Sequence, residues 1–448
     1  MNLPFIYGEA VDGYIPENCF YSPKEIYGMP ALRSRPGLKS FCELGTYGEL
    51  RAIGGTSRSL YALSKNVLYK VKSNGSSREV GKISTTKGNA WIEGAGGQVM
   101  VVDGQTAYVL QNGSLSTVSA SFNPTSLAYE GGHFVLSARD SKNFYETEVN
   151  DGSDVNELDY AIVTARQDNI VAVYANNGEV WAMCENSFEP YYNSGGSSFS
   201  FSKSVQGCIE EGLASSRGAT VINGSMFWVS DKRTFLKSKQ YAPVKISDAI
   251  IDSYLNDAVR VDDIKAFSFE LGGHSFVVFC LPKDNKTFVY DSSTGLWSKW
   301  SSYPNYGRWR ANCYAKCWGR HFVGDYENGK IYEIDFDTYD DDGEVFAWER
   351  TVPVQVETSD VHYWPNFVLE LESGVGLNTG QGSTPQVMMQ LSKDKGKTWG
   401  GERWRSFGKI GKYDNRIYWN MLGSSRNLTI KVRITDPVKR VCTGAHFK

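Results

Sequence analysis

Three kinds of cluster in this 448-residue chain carry side chains that could do chemistry. Cys313, Cys317 and His321 are residue types that hold zinc. They fall in a stretch patterned like a strand, where four residues advance about 13 Å, so the three side chains cannot meet one ion at about 2.0–2.3 Å. The acidic run Asp335, Asp337, Asp340, Asp341, Asp342 and Glu344 has the density of a calcium loop. An EF-hand loop needs glycine at its sixth position, and Asp340 stands there if Asp335 is first, so a solvated turn at a domain boundary is the expectation. Arg308-Trp309-Arg310 and Arg403-Trp404-Arg405 interleave cations with an aromatic, as single-strand nucleic-acid binders do. On a strand the tryptophan faces away from both arginines, so each triplet is expected to be a core tryptophan flanked by surface charge.

Ser392-Lys-Asp-Lys-Gly-Lys-Thr-Trp399 matches the Asp-box pattern S-x-D-x-G-x-T-W, a hairpin found in sialidases and other propellers. Its aspartate can accept from turn amides while its tryptophan anchors the hairpin in a core. The box is not catalytic, and a retaining sialidase would further need an arginine cluster and a tyrosine nucleophile with an acid partner. No P-loop, dinucleotide fingerprint, G-x-S-x-G elbow or HExxH is present, and five histidines are few for metal or acid–base work. The reading is therefore no catalytic residue, no cofactor-binding residue and no metal ligand: not an enzyme.

Composition narrows the class further. At 41% hydrophobic and 13% aromatic the chain can bury a substantial core, in two or three domains. A formal net charge of −3 gives no general attraction to nucleic acid or anionic membranes, so any DNA contact has to be local or transient. No stretch of about 20 apolar residues is present, and the N-terminus lacks the basic and apolar regions of a signal peptide. Synthesis in the cytosol is expected. Eight cysteines without framework spacing read as reduced, small core residues.

The elements that would position these residues are short strands. Between Gly273 and Asp342 the order is apolar strand, tight turn, strand, aspartate-rich turn and aromatic strand, which then begins again at Arg320. That is one propeller blade written flat. The rhythm starts near Ser59 and returns every 35 to 50 residues or so, with Asn-Gly at 74, 112, 177, 223 and 328 and Asp-Gly at 12, 103, 151 and 342 as hairpin turns. The expected fold is all-β: a six- or seven-bladed β-propeller over 46–345, a C-terminal β-sandwich-like domain over 346–448 and an extended N-terminal arm over 1–45. One helix interrupts, capped at Ser247-Asp248, with Ile250, Ile251, Tyr254, Leu255 and Ala258 on one face. In the last domain Phe367, Leu369 and Leu371, and then Leu428, Ile430, Val432 and Ile434, alternate with polar residues as half-buried strands.

Four features in order resemble the packaged-DNA stabilisation family, the tail hub or nozzle proteins of short-tailed bacteriophages. They are Tyr21-Ser-Pro-Lys-Glu with Arg33-Ser-Arg-Pro-Gly-Leu38, then Gly273-His274 before an apolar strand, then Tyr290-Asp-Ser-Ser-Thr-Gly-Leu-Trp297 leading to Trp309-Arg310 and Gly324-Asp325 through Tyr332. The fourth is C-terminal: Ser392 to Trp399, Gly411-Lys-Tyr with Arg416, Trp419 and Leu422-Gly423, and Arg433-Ile-Thr-Asp-Pro437. The resemblance spans both ends, and between about 140 and 245 it rests on blade rhythm alone. It implies a structural virion protein, made in the host cytoplasm and placed in the tail. There a homohexamer would close the tail channel after packaging, retain the genome and conduct it out on ejection. The implied partners are the head-to-tail adaptor ring, a tail needle or plug, tailspikes or tail fibres, and double-stranded DNA in passage. A propeller glycosidase or depolymerase acting on host surface polysaccharide is the alternative, and it would need two carboxylates about 5 to 10 Å apart in a pocket.

Overall fold

The structure is a computed structural model describing residues 5–10, 13–26, 28–164, 166, 168–196, 198–205, 208–354 and 360–447. Seven blades follow one another, six of them four-stranded, antiparallel and continuous in sequence at 50–82, 91–117, 124–162, 170–203, 219–245 and 265–299. The seventh takes three strands from 311–335 and its fourth from the other end of the chain, Gly37–Glu43, which pairs antiparallel with Lys330–Asp335. Leu38 is fully buried among Trp309, Tyr332 and Ile334. The ring therefore closes on a strand held by a ladder and a core side chain, which removes the exposed edge an open array would leave.

Period-two patterning explains the blades. In His274–Leu281 both faces are buried, because a middle strand packs on the blade before and the blade after. The innermost strands of neighbouring blades approach closely at points along the axis: a Cβ on Gly54 would sit 2.4 Å from the Ile92 carbonyl oxygen of the next blade. Asn112-Gly113, Asn177-Gly178 and Asn223-Gly224 have both residues at positive φ, the type I′ geometry their sequence anticipates. Asp151-Gly152 is different. It lies inside the strand Asp151–Ile162, and Asn150, at φ 57°, makes the turn.

The helix Ala249–Asp257 links blades five and six. Asp248 caps it by accepting from the amides of Ile250 and Ile251 at 2.9 and 2.8 Å, and the Arg233 guanidinium donates to the carbonyls of Leu255, Asn256 and Ala258 at its other end. Ile251 and Leu255 enter the core between the two blades. No helix among the described residues is long and apolar enough to cross a membrane. All eight cysteines are free.

The second body is a sandwich of two sheets, and the sheets cut across the three segments expected from the sequence. One sheet runs Cys19–Ile26, Met29–Ser34, Val441–Phe447, His362–Leu371, Ile417–Ser425; the other runs Trp348–Val354, Leu428–Ile434, Gln386–Ser392, Arg403–Ser406. The N-terminal segment is thus no separate arm. Two of its strands belong to the sandwich and the third closes the propeller. Periodicity reports which face of a strand is buried but not its partner, so pairings across some 400 residues leave no local trace.

Leu38→Ala should cost about 2–5 kcal/mol, the range for a fully buried leucine, and should speed amide exchange in Gly37–Glu43 ahead of the other blades. Exchange that loosens blade three first would contradict closure through this strand.

Candidate functional site

The candidates from sequence do not assemble into a reactive centre. Cys313 and Cys317 point back to the seam with blade one, their thiols near the carbonyls of Leu50 and Thr56 at 3.5 and 3.3 Å. His321 instead meets the Tyr314 hydroxyl at 2.9 Å, and burial lowers its pKa. Among the described residues no three His, Cys, Asp or Glu are placed to share a metal ion. Four carboxylates of the acidic run are already engaged within the fold; Asp335 accepts from the Asp337 amide and Thr338 hydroxyl, Asp340 from the Gly343 amide, and Asp342 pairs with Lys330 at 2.7 Å. Solvation does not describe all of it, because Asp341 is buried against Arg35.

The two Arg-Trp-Arg triplets part company. Trp309 is fully buried as expected, yet Arg308 is also buried, donating to Asn312 at 2.7 Å and lying 4.1 Å from the Tyr326 ring centroid. Trp404 is the correction: it is 49% exposed, on the edge strand of its sheet. In the Asp-box, Asp394 accepts from the Thr398 amide and hydroxyl and from Ser392, which holds its carboxyl down to about 2. Trp399 does not anchor a core. It is half-buried, with the Lys431 ammonium 4.1 Å above its ring.

One constellation escaped the sequence because its members lie 252 residues apart. Ser22 Oγ is 3.3 Å from His274 Nε2, and His274 Nδ1 is 2.7 Å from Asp291 Oδ2. The geometry is that of a nucleophile, base and orienting acid. Its surroundings are not: the three residues are 5%, 6% and 3% exposed, and Phe20 packs edge-on to the imidazole at 4.8 Å. Asp291 also accepts from the Ser293 amide and Thr294 hydroxyl. A substrate has no approach, and the trio instead pins the sandwich strand Cys19–Ile26 to blade six. The only hint in the sequence was His274 opening an apolar strand.

That pin belongs to a larger joint between the two bodies. Arg35 donates to both oxygens of Asp341, at 2.9 and 2.7 Å, and its guanidinium lies 3.7 Å from the Phe346 ring centroid. Arg440 comes within 4.2 Å of the same ring and donates to the carbonyls of Phe346 and Tyr339. Burial, with Arg35 alongside, pulls the Arg440 guanidinium down to about 9. Asn18, at φ 54°, uses its whole amide: it donates to the Ala347 carbonyl and Ser301 hydroxyl and accepts from Arg35 Nε and the Ser301 amide. Beside it Glu17 and Glu349 exchange backbone hydrogen bonds at 3.0 Å, while their carboxylates pair with Lys299 and Arg433. Burial raises the Glu17 pKa. These contacts tie residues 17–35, blade six and the 341–349 crossing to the sandwich without a flexible stretch between.

The propeller axis holds a cavity of about 310 Å³ lined from six of the seven innermost strands, room for about ten waters. Trp91, Tyr129, Tyr174, Phe267 and Tyr314 crowd it. Its charged lining is Glu93, whose carboxyl burial pushes up to about 7, and Arg217, which lies 4.4 Å from the Trp91 ring centroid and partly offsets that shift.

A closed seven-bladed propeller riveted to a two-sheet sandwich by buried arginines, with its axis crowded by aromatic rings and its triad-like trio sealed, has the makings of a rigid architectural protein. Residues 1–339 match the family model described as Bacteriophage P22 Gp10, beta-propeller, and residues 362–448 the model described as Bacteriophage P22 Gp10, beta-sandwich. The chain belongs to this family of structural virion proteins that stabilise packaged DNA. A search of curated proteins finds no match. Among solved structures, the Neurospora crassa Pan2 WD40 domain is similar at 8% identity and TM-score 0.45, over 68% of this chain and 98% of that one. The N-terminal domain of Nup159 is similar at 11% identity and TM-score 0.43, over 67% and 95%. PorZ of Porphyromonas gingivalis is similar at 10% identity and TM-score 0.40, over 72% and 44%. Likeness at this level carries no functional inference.

Two measurements probe the site. Asp341→Ala strands Arg35 beside Arg440 in a dry joint and should cost about 3–5 kcal/mol, with new proteolytic cleavage in 341–349; an unchanged melting temperature would contradict the joint. For Glu93 the folded pKa, about 7, lies above the unfolded 4.5, so the unfolded chain sheds its proton first. Stability from this group is whole below pH 4.5, falls as pH rises to 7 and stays lost above. Glu93→Gln should therefore melt like wild type at pH 4 and higher than wild type at pH 8.

Proposed function

We propose that this protein is the tail hub, or nozzle, of a short-tailed phage: six copies form a ring that closes the tail channel after packaging, retains the genome and conducts it out on ejection. The observation that carries the reading is the joint. Propeller and sandwich are locked by buried ion pairs and hydrogen bonds rather than strung on a linker, which suits a part that must keep its shape under internal pressure. The crowded axis adds a constraint. A cavity with room for about ten waters cannot pass a duplex, so DNA would run between copies in the ring and not through any one propeller.

The rim of blade three supports a contact with another chain. In the outermost strand Asp151–Ile162, Leu158 is 87% exposed, and Tyr160 and Ile162 are exposed with it on alternate positions. Such a run on an edge strand is a liability for a monomer and useful at an interface. In this reading that edge meets the neighbouring subunit, while the adaptor ring, a needle or plug, and tailspikes or fibres use other surfaces. The protein resides in the virion tail after synthesis in the host cytoplasm, and it makes and breaks no bonds. Buried Ser22, His274 and Asp291 serve as a pin in this scheme.

Electron microscopy of tails and of the purified protein tests the proposal. Sixfold rings at the tail tip are expected, together with particles that package but leak DNA when the gene is removed. Monomers only, with virions that fill, seal and infect without the protein, would overturn it.

A further inference from the structure

The edge strand Arg403–Ser406, the loop after it and the start of Ile417–Ser425 form a surface unlike the rest of the molecule. Residues 393–416 carry eight Lys and Arg against three Asp and Glu, in a chain whose formal net charge is −3. Arg403, Arg405, Lys409, Lys412 and Arg416 are all exposed, and none is in an ion pair among the described residues. Two of the three carboxylates are already used: Asp394 inside the Asp-box and Glu402 on Arg433 at 3.5 Å. The positive charge is left without internal neutralisation.

Aromatic side chains stand among these cations. Trp404 and Tyr418 are about half exposed, at 49% and 48%, and Tyr413 is 76% exposed. They are held to one region: Arg405 Nε donates to the Tyr418 carbonyl at 3.0 Å, Trp419 Nε1 to the Arg403 carbonyl at 2.9 Å, and Asn415 to the Ser406 carbonyl at 2.6 Å. The backbone is thereby fixed; the Arg405 guanidinium donates to the Tyr418 and Trp404 carbonyls yet has no carboxylate partner among the described residues, and the other cations and the rings stay exposed. The Asp-box hairpin, with exposed Lys393, Lys395 and Lys397, connects Gln386–Ser392 to this edge strand and extends the basic strip beyond Arg403.

We propose that this edge of the sandwich binds the sugar–phosphate backbone of DNA, the cations on phosphates and the exposed rings against bases or sugars. Unpaired guanidinium groups are the strongest phosphate donors a protein offers, and flat rings between them add contact that a purely ionic patch lacks. Rings and arginines would also suit an acidic protein surface, and salt-sensitive binding to DNA separates the two. The inference rests on the nozzle reading only for why DNA is the polyanion at hand. A local strip on a protein of negative net charge holds DNA weakly and releasably, as a conduit requires.

The test is equilibrium binding of the purified full chain to a duplex and to a single strand, each of about 30 nucleotides per strand, at about 50 and about 200 mM salt. Five phosphate contacts predict a loss of about 500-fold across that salt range on the duplex. R403Q/R405Q/R416Q should weaken binding at least tenfold, while K39Q/K72Q/K87Q, an equal charge change on the propeller, should leave it unchanged. W404A should weaken the single strand more than the duplex. No salt-sensitive binding, equal loss in both triple variants, or tighter binding to phosphatidylglycerol vesicles than to DNA would overturn the inference. Rings at the tail tip without DNA binding would remove this proposal alone, and DNA binding without rings would remove the nozzle reading alone.

Discussion

Three guanidinium groups, those of Arg35, Arg350 and Arg440, are among the largest fully buried side chains of the molecule; Arg35 and Arg440 lie where the propeller meets the sandwich and Arg350 on a sandwich strand. Burying such a charge is costly unless it is paired or hydrogen-bonded, so the surroundings of each are constrained, although Arg440 Nε finds no hydrogen-bond partner among the described residues. Asp341 must face Arg35, Phe346 must lie between Arg35 and Arg440, and the carbonyls of Tyr339 and Phe346 must turn inward. Arg350, which burial brings down to about 10, reaches the Phe5 carbonyl at 3.2 Å and fixes the start of the chain. Once these are satisfied the two bodies cannot separate without uncovering unpaired charge. The crossing is set by electrostatics, with hydrophobic packing filling around it.

The same constraint explains why the N-terminal residues are spent as they are. Asn18 has to reach blade six and the crossing at once, so the strand that follows it is committed to the sandwich. Gly37–Glu43 has to supply the last strand of the propeller, and Arg35, two residues earlier, is thereby delivered to the joint. Ring closure and domain docking are one event rather than two. Ser22 on His274 adds a second rivet on the same strand.

Local regularities were readable in the sequence and remote ones were not. Alternation and Asn-Gly turns announce the blades, and Asp248 before Ile250 and Ile251 announces the helix, because each depends on residues within a few positions of one another. The type of the C-terminal strands follows likewise from Leu428, Ile430, Val432 and Ile434. What stayed hidden is what needs a third dimension. Arg35 gives no sign of its burial, since 306 residues separate it from Asp341. The Arg-Trp-Arg triplets show the limit sharply: the same three residue types give a buried tryptophan at 309 and an exposed one at 404. The first lies between two blades and the second on the edge strand of a sandwich sheet.

Net charge is a poor guide for the same reason. A total of −3 argues against a nucleic-acid protein only if charge is spread evenly, and here it is not. In the propeller and joint most cations that approach a carboxylate are spent on it, as Lys265 is on Glu49 and Arg310 on Asp325. Along residues 393–416 they are left over. A uniformly basic ring would grip a polyanion along its whole passage, and a uniformly acidic one would never engage it. Concentrating the surplus on one edge of the smaller domain would, in the proposed role, give a contact strong enough to register a strand at one point and too small to arrest it.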